Sequence, residues 1–303
     1  MKKVLLIARA KTPQAIELAD GFAEKIRHLV SDDFVIENCE ISELFFELDA
    51  ESIAIYHPKK EFDLREFDLV IVRHIGKYSV EAHAIAVYCE AFGIQYTDTY
   101  LNRLLLDNKL STQFVLWFGG IKNWPRTMYG SVNELKHRLP ELGEKAILKD
   151  NNGSKGRLNF VVSSPEQIQS IIDENPDIFF ILQEYIPNKG DLRVLVLNDI
   201  VSLVIRRTGD GSSHLNNTSR GGVAEIVSLD DTEPGILRMA ERAAKLLKLQ
   251  VAGVDIMYDE RTGEPYLLEV NNAPQISSGS FTDEKASLYA NMIQSMLQDE
   301  DTT

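Results

Sequence analysis

Hydrophobic and polar positions follow two periods along this chain, and each change of period marks an element. Val4-Leu5-Leu6-Ile7-Ala8 makes residues 2–8 read as a buried parallel strand. Ile16, Ala19, Ala23, Ile26 and Val30 then fall on one helical stripe over residues 13–30. Residues 34–38 and 67–72 read as strands, 80–92 as a helix and 93–96 as a short strand. Residues 42–66 interleave Phe45, Phe46 and Leu48 with acids, then run into His57-Pro58-Lys59-Lys60, and give no single period. Strand, helix, strand, strand, helix, strand predicts a small α/β lobe with a parallel sheet. Ala8-Arg9-Ala10-Lys11 stands where a dinucleotide-binding fold would carry Gly-x-Gly-x-x-Gly, which argues against that fold.

Further on, residues 102–118 predict a helix that carries Lys109 and stops at Gly119-Gly120. Ser131 with Glu134 three residues later predicts a capping box, and Ser164-Pro165-Glu166 opens another helix. Strands are expected over 146–149, 158–162, 179–186 and 200–205. Residues 253–272 read as two apolar strands joined by the turn Asp259-Glu260-Arg261-Thr262-Gly263. Strict alternation puts Leu267, Glu269 and Asn271 on one face and Leu268 and Val270 on the other, and the hairpin brings Asp255 to the Glu269/Asn271 face. Burying two carboxylates in an apolar sheet is costly unless positive charge compensates them. A few hard oxygen ligands, with room for phosphate oxygens, describe a magnesium site rather than zinc or an all-protein calcium cage. The alternative is a pair of strand-end acids facing water.

Composition narrows the class. At 303 residues the chain predicts two or three packed lobes, and 44% hydrophobic with 26% charged residues is the balance of a soluble globular protein. No apolar run approaches the length of a membrane span. Met1-Lys2-Lys3 and the short apolar run after it lack a small-residue cleavage pattern, so a cytoplasmic location is expected. Cys39 and Cys89 lack metal-ligand spacing and read as buried thiols. A net charge of -14 argues against nucleic acid or an anionic membrane as the main partner, while leaving room for a local basic cleft.

Three polar stretches carry candidate chemistry. Lys149-Asp150-Asn151-Asn152-Gly153-Ser154-Lys155-Gly156-Arg157 lies between two strands, where backbone N–H groups near glycines can cradle phosphate oxygens. A plain hairpin turn is the competing explanation, although Lys149 ends an apolar strand and would point into the fold or a cleft. Arg193 stands among inward-facing apolar residues, and Arg206-Arg207 end the strand over 200–205. Such arginines need an anion, either ligand phosphate or a protein carboxylate such as Glu184, Asp191 or Glu225. The loop over 209–222, with His214, Asn217 and Arg220-Gly221-Gly222, is long and polar like a lid or substrate-binding segment.

Taken in order, Lys149 with Gly153-Ser154-Lys155-Gly156, Gln183-Glu184-Tyr185-Ile186, Gly190-Asp191-Leu192-Arg193, Arg207, Asn217, Gly253-Val254-Asp255 and Glu269-Val270-Asn271 resemble the ATP-grasp superfamily, and within it the RimK-like carboxylate–amine ligases. The resemblance spans roughly residues 98–297. It implies an α/β (α+β) chain with the ATP-grasp fold, two α+β lobes gripping ATP behind a small parallel-sheet domain. The corresponding divisions are 1–97, 98–186 with the phosphate loop, and 187–303 with the metal site.

The resemblance also implies roles. Lys109 and Lys149 would reach the nucleotide phosphates, and Gly153, Ser154, Lys155 and Gly156 would close over them. Gln183, Glu184, Tyr185 and Ile186 belong to the hinge strand whose backbone holds adenine, with Asp191 a nearby polar contact. Arg193 and Arg207, with Asn217 in the same neighbourhood, would serve the transferring phosphoryl group. Asp255, Glu269 and Asn271 would ligate Mg2+, two ions being expected and Mn2+ a substitute. Asn108-Lys109 replaces the family's frequent Asp-Lys, and Asn271-Asn272-Ala273-Pro274-Gln275 replaces Asn-Ala-Ser-Pro-Gly beside the acceptor site, which leaves the substrate open. The implied reaction joins a carboxylate substrate to an amine acceptor, an amino acid or peptide, through an acyl-phosphate with release of ADP and phosphate. A nucleotide-binding regulatory module and an ATP-grasp enzyme of phosphotransfer or thiol-ligation outcome are the alternatives. Relatives are commonly dimers or tetramers, so a homo-oligomer is among the expectations.

Overall fold

Where apolar residues run without a break, the chain forms the inner strands of sheets. The computed structural model describes residues 1–8, 12–48, 52–102, 108–153, 158–209 and 223–298. β1 (Lys2–Ala8) leads into α1 (Pro13–Leu29), whose N-cap Thr12 accepts from the Ala15 N–H at 3.2 Å, and then into β2 (Phe34–Glu40). The stretch without a clear period folds as a small antiparallel sheet of β3 (Phe45–Leu48), β4 (Ile53–His57) and β5 (Phe62–Asp63). These strands are too short for alternation to show in the sequence. β6 (Leu69–Arg73), α2 (Ser79–Phe92) and β7 (Gln95–Thr97) complete a parallel sheet of order β2-β1-β6-β7.

α3 (Lys109–Phe118) starts later than the helix predicted over 102–118. The Asn108 carboxamide oxygen accepts from the Ser111 N–H at 2.9 Å, and this local cap sets the start of the helix at Lys109. Thr99–Asn102 is a separate 3-10 turn. β8 (Thr127–Met128), α4 (Val132–Arg138), β9 (Ala146–Asp150), β10 (Asn159–Val162), α5 (Pro165–Glu174) and β11 (Phe180–Glu184) follow. Their strands form an antiparallel sheet of order β10-β9-β11-β8. Its Ala146, Leu148 and Leu182 face packs on Leu135 and Leu139 near α4 and on Ile168 of α5. The opposite face carries Ile147, Lys149, Ile181 and Gln183, paired in register across β9 and β11.

β12 (Asp191–Leu197), β13 (Ile200–Thr208), β14 (Val223–Val227), α6 (Pro234–Leu247), β15 (Val251–Tyr258), β16 (Pro265–Asn271) and α7 (Thr282–Gln298) complete the chain. The sheet order is β14-β13-β12-β15-β16, all neighbours antiparallel. β13 runs three residues past the predicted end, so Arg206 and Arg207 lie inside the strand and not beyond it. One sheet face, with Val194, Val204, Val254, Ile256 and Leu267, packs on Ile236, Ala240 and Ala243 of α6. The other face is apolar only at one end. There Leu195, Leu197, Leu203, Ile205 and Val251 share a core with Ala286, Tyr289 and Ile293 of α7. Val4, Ile36, Leu69 and Ile71 of the parallel sheet and Ile26 of α1 belong to that same core. The last helix therefore fills the space between the first sheet and the last.

Ile293 is fully buried at this junction. Ile293→Ala should cost about 2–5 kcal/mol. Because the core is shared, urea unfolding followed by circular dichroism should shift the parallel sheet and the C-terminal sheet together. Two separated transitions, with only one of them moved, would contradict this.

Candidate active site

At the end of the C-terminal sheet away from the apolar core, four charged side chains meet on one face. Register sets Asp191 opposite Arg207, and Arg193 opposite Asp255 on the next strand. Arg193 grips Asp255 with two N–H groups: Nη2 to Oδ2 at 2.8 Å, and Nε to Oδ1. Arg207 Nε donates to Asp191 Oδ1 at 2.6 Å, and its Nη2 lies 3.1 Å from Asp255 Oδ1. Asp191, Arg207 and Asp255 are all buried. Burial raises the Asp255 carboxyl, but the Arg193 and Arg207 guanidinium groups outweigh it and hold the group below the usual carboxylate value. Burial pushes Asp191 up to about 6 against the pull of Arg207. The anion each arginine needs is thus a protein carboxylate, Asp255 or Asp191, and Arg206 likewise pairs with Glu225 at 2.7 Å.

The hairpin corrects one expectation. Asp255 pairs with Glu269 and Gly253 with Asn271, but Ile256 pairs with Leu267 across a bulge. The extra residue, Leu268, breaks the alternation, so Leu267 points into the α6 core while Glu269 and Asn271 take the opposite face with Asp255. A strict two-residue period cannot reveal a bulge. It also explains how the strand supplies both a core leucine and cleft-facing polar groups.

Two lysines from the preceding lobe converge on Glu269. Lys109, at the first turn of α3, lies 3.7 Å from Glu269 Oε1 and donates to the Gly153 carbonyl. Its backbone N–H donates to the Asn151 carbonyl at 3.0 Å, and Leu110 N–H donates to Asn151 Oδ1 at 2.9 Å, which ties α3 to the turn after β9. Lys149 is buried at the end of β9, and burial pushes its ammonium down to about 8, with Glu269 acting the other way and Lys109 adding to the fall. Gly153 is needed here for space, since a Cβ would stand 2.6 Å from Asp150 Oδ2. An open cleft lies between Asn108, Lys109, Asn151, Gly153 and the Glu269–Asn272 strand end.

Gln183 shares the sheet face of Lys149 and donates to Thr127 Oγ1 at 2.7 Å. Glu184 ends β11, so Tyr185 and Ile186 continue as irregular chain and not as strand; Ile186 is buried. Asp191 belongs with the arginines, as Arg207's partner, rather than with the strand end of Gln183 and Glu184. Ser154, Lys155, Gly156 and Asn217 lie outside the described residues, as does His214.

The donor set can be tested against a divalent cation. Asp255, Glu269 and Asn271 face one side of the hairpin, and the Asn271 amide nitrogen donates to the Gly253 carbonyl at 3.3 Å, leaving its oxygen as an acceptor. Among the described residues no group of three or more His, Cys, Asp or Glu side chains is placed to hold a metal. Two carboxylates and one amide fall short of a protein cage and fit a magnesium ion completed by phosphate and water. Both Asp255 oxygens already accept N–H groups, so Asp255 would join a metal by exchanging one of them.

Asn151 was legible only as part of the loop from Lys149 to Arg157, and Trp124, which also lines the cleft, gave no signal in the sequence. Asn272 donates to the Tyr100 hydroxyl at 3.0 Å, a contact across 172 positions that no local pattern encodes.

The RimK-like ATP-grasp domain matches residues 106–296. A probable alpha-L-glutamate ligase of Haemophilus influenzae is 26% identical over 236 residues, covering 77% of this chain and 74% of that protein. One from Cellvibrio japonicus is 28% identical over 243 residues, covering 78% and 77%. In fold, the chain is similar to the ATP-grasp ligase PsnB complexed with a phosphomimetic variant of minimal precursor, Mg and ADP (TM-score 0.70, 15% identity, 98% of this chain and 99% of that one). It is also similar to D-alanyl-alanine synthetase A of Vibrio cholerae (TM-score 0.68, 16% identity, 98% of each chain).

Lys149 gives a stability test. Its value of about 8 lies below the ordinary 10.5 of an unfolded lysine, so the penalty for burying the ammonium is complete below pH 8 and gone above about pH 10.5. Lys149→Met should therefore raise stability in urea titrations at pH 7 by about 1–3 kcal/mol. The gain should fade as the pH approaches 10.5. A loss of stability at pH 7 would show that the ammonium is favourably paired.

Proposed function

Because the chain belongs to the RimK-like ATP-grasp family and is an ATP-grasp ligase that forms carbon–nitrogen bonds, we propose that the cleft between Lys109, Lys149 and Glu269 is where ATP and a substrate carboxylate react. The observation that carries the proposal is the meeting of two lysines from one lobe with a cleft-facing carboxylate of the other. Two ammonium groups, that of Lys149 buried and that of Lys109 half-buried, against one half-buried carboxylate leave the cluster positive, and a polyphosphate balances it. Three units then share the work. Residues 1–97 form the first, 98–186 carry the two lysines, and 187–303 carry the arginines and the hairpin.

In this scheme Lys109 and Lys149 hold the phosphates, with the turn at Gly153 close to them. The backbone of Gln183, Glu184, Tyr185 and Ile186 takes the adenine. Ser154, Lys155, Gly156 and Asn217 keep the roles that the family resemblance implies for them. Asp255, Glu269 and Asn271 hold Mg2+, two ions or Mn2+ in their place. A bound ion supplies charge neutralisation at the transferring phosphoryl group. Arg193 and Arg207 stand preorganised on the same face, Asp191 fixing the orientation of Arg207. The substrate carboxylate oxygen attacks the γ-phosphorus, that P–O bond forms and the bond to the β,γ-bridging oxygen breaks, giving ADP and an acyl-phosphate. An amine then attacks the acyl carbon, the carbon–oxygen bond to phosphate breaks, the amine loses a proton and inorganic phosphate leaves. The two relatives' names support glutamate as the amino acid added, to a peptide, protein or small acid.

Hydroxylamine trapping tests this reading. With MgATP, hydroxylamine and pools of amino acids, small acids and short peptides, the protein should yield hydroxamate and ADP in equal amounts from at least one pool. ATP binding without product from any pool would favour a regulatory module. Glu269→Gln should reduce that turnover about 100-fold or more while leaving the melting curve nearly unchanged. Full activity in the variant would remove Glu269 from the metal set.

A further inference from the structure

Two cations outside the scheme above lie together beside the segment that leaves the hairpin. Lys285 on α7 is only 5% exposed. Its ammonium donates to the Gln275 carbonyl at 2.6 Å and the Ser278 carbonyl at 2.8 Å. Arg73, at the end of β6 in the parallel sheet, donates from Nη2 to the Pro274 carbonyl at 3.0 Å. The Arg73 guanidinium also lies 5.9 Å from the ring centre of Tyr289, which stands one turn beyond Lys285 on α7. Three carbonyls of residues 274–278 thus face cations from two distant elements. The segment they clamp begins three residues after Asn271.

The charges do not balance. An ammonium has three donors, and Lys285 uses two, both on neutral carbonyls. Among the described residues no carboxylate forms an ion pair with it; Arg193 is near enough to repel it, and Glu284 on its own helix acts weakly in the other direction. Arg193 and Arg207 are already matched by Asp255 and Asp191. Among the described residues Arg73 forms no ion pair; the carboxylate it acts on is Asp98, which burial pushes up to about 7. A buried ammonium with a spare donor, and a like charge beside it, is costly until an anion arrives.

We propose that Lys285 binds the free α-carboxylate of an amino-acid substrate, the carboxylate that does not react, and that Arg73 is a positioning residue holding the 274–278 segment for it. The inference rests on the ligase reading. An anion at this point neutralises the repulsion between Lys285 and Arg193 and takes up the third N–H. The substrate is then an amino acid bound through its carboxylate, with its amine directed toward the cleft.

The test pairs each amino acid with its own α-carboxamide as amine donor, together with MgATP and the carboxylate substrate found by trapping, reading ADP release. The wild type should favour the free acid about 10- to 100-fold in KM. Lys285→Gln should raise the KM for the free acid by the same factor, leaving the KM for the carboxamide and for ATP unchanged, and Lys285→Arg should restore most of the preference. Equal KM values for acid and carboxamide in the wild type overturn the inference even if Lys285→Gln fails to fold. So does a variant that weakens both donors equally or neither. A wild type that yields hydroxamate in the trapping assay but releases no ADP with any amino-acid donor overturns this inference alone, whereas one that yields no hydroxamate from any pool overturns the ligase reading, and this inference with it.

Discussion

The C-terminal sheet depends on one compromise, the burial of Asp191, Asp255 and Arg207, with Arg193 half-buried beside them, on a face whose other end is apolar. Leu195, Leu203 and Ile205 on the same face make a dry core with α7, while Asp191, Arg193, Arg207 and Asp255 lie a few residues further along the strands. Each charge is tolerated because register puts its partner on the neighbouring strand. Breaking one pair would strand a buried charge, which costs far more than the intact pair contributes. The network therefore holds the strands in a single register and keeps two guanidinium groups oriented on the sheet face that Asp255 shares with Glu269 and Asn271.

Around that network the lobes communicate through few contacts of high consequence. Lys109 and Lys149 approach Glu269 from a separate sheet, and the ammonium of Lys149 is depressed mainly because burial removes its water. Asn151 bonds to two successive backbone positions of α3, so the turn after β9 and the start of that helix move as one piece. An anionic ligand is the natural complement of such a surface, since it supplies the charge that the protein leaves uncompensated.

The parallel sheet is more than a leading appendage. Val4, Leu69 and Ile71 share a core with Ile293 and Leu195, and Arg73 reaches the segment after the hairpin. The first sheet thereby sets the position of the chain leaving the cleft. The same arrangement lets a residue near the start of the chain and one near its end meet at a single loop.

Much of this was legible in the sequence because it is local or periodic. The apolar runs gave the inner strands, Ser131 and Ser164 marked helix starts through their caps, and Gly253-Val254-Asp255 with Glu269-Val270-Asn271 announced a hairpin with acids on it. The ordered stations from Lys149 to Asn271 were enough to suggest the family. Local pattern could not carry the bulge at Leu268, because an inserted residue leaves the composition of a strand unchanged. Nor could it say whether Arg193 and Arg207 answer to ligand or to protein, since their partners lie 62 and 16 positions away and are chosen by strand register. Nothing in the local pattern singled out Arg73 or Lys285. Only packing brings them to one segment, Arg73 to the Pro274 carbonyl and Lys285 to those of Gln275 and Ser278, because a charge is assigned its partner by distance in space and not by distance along the chain.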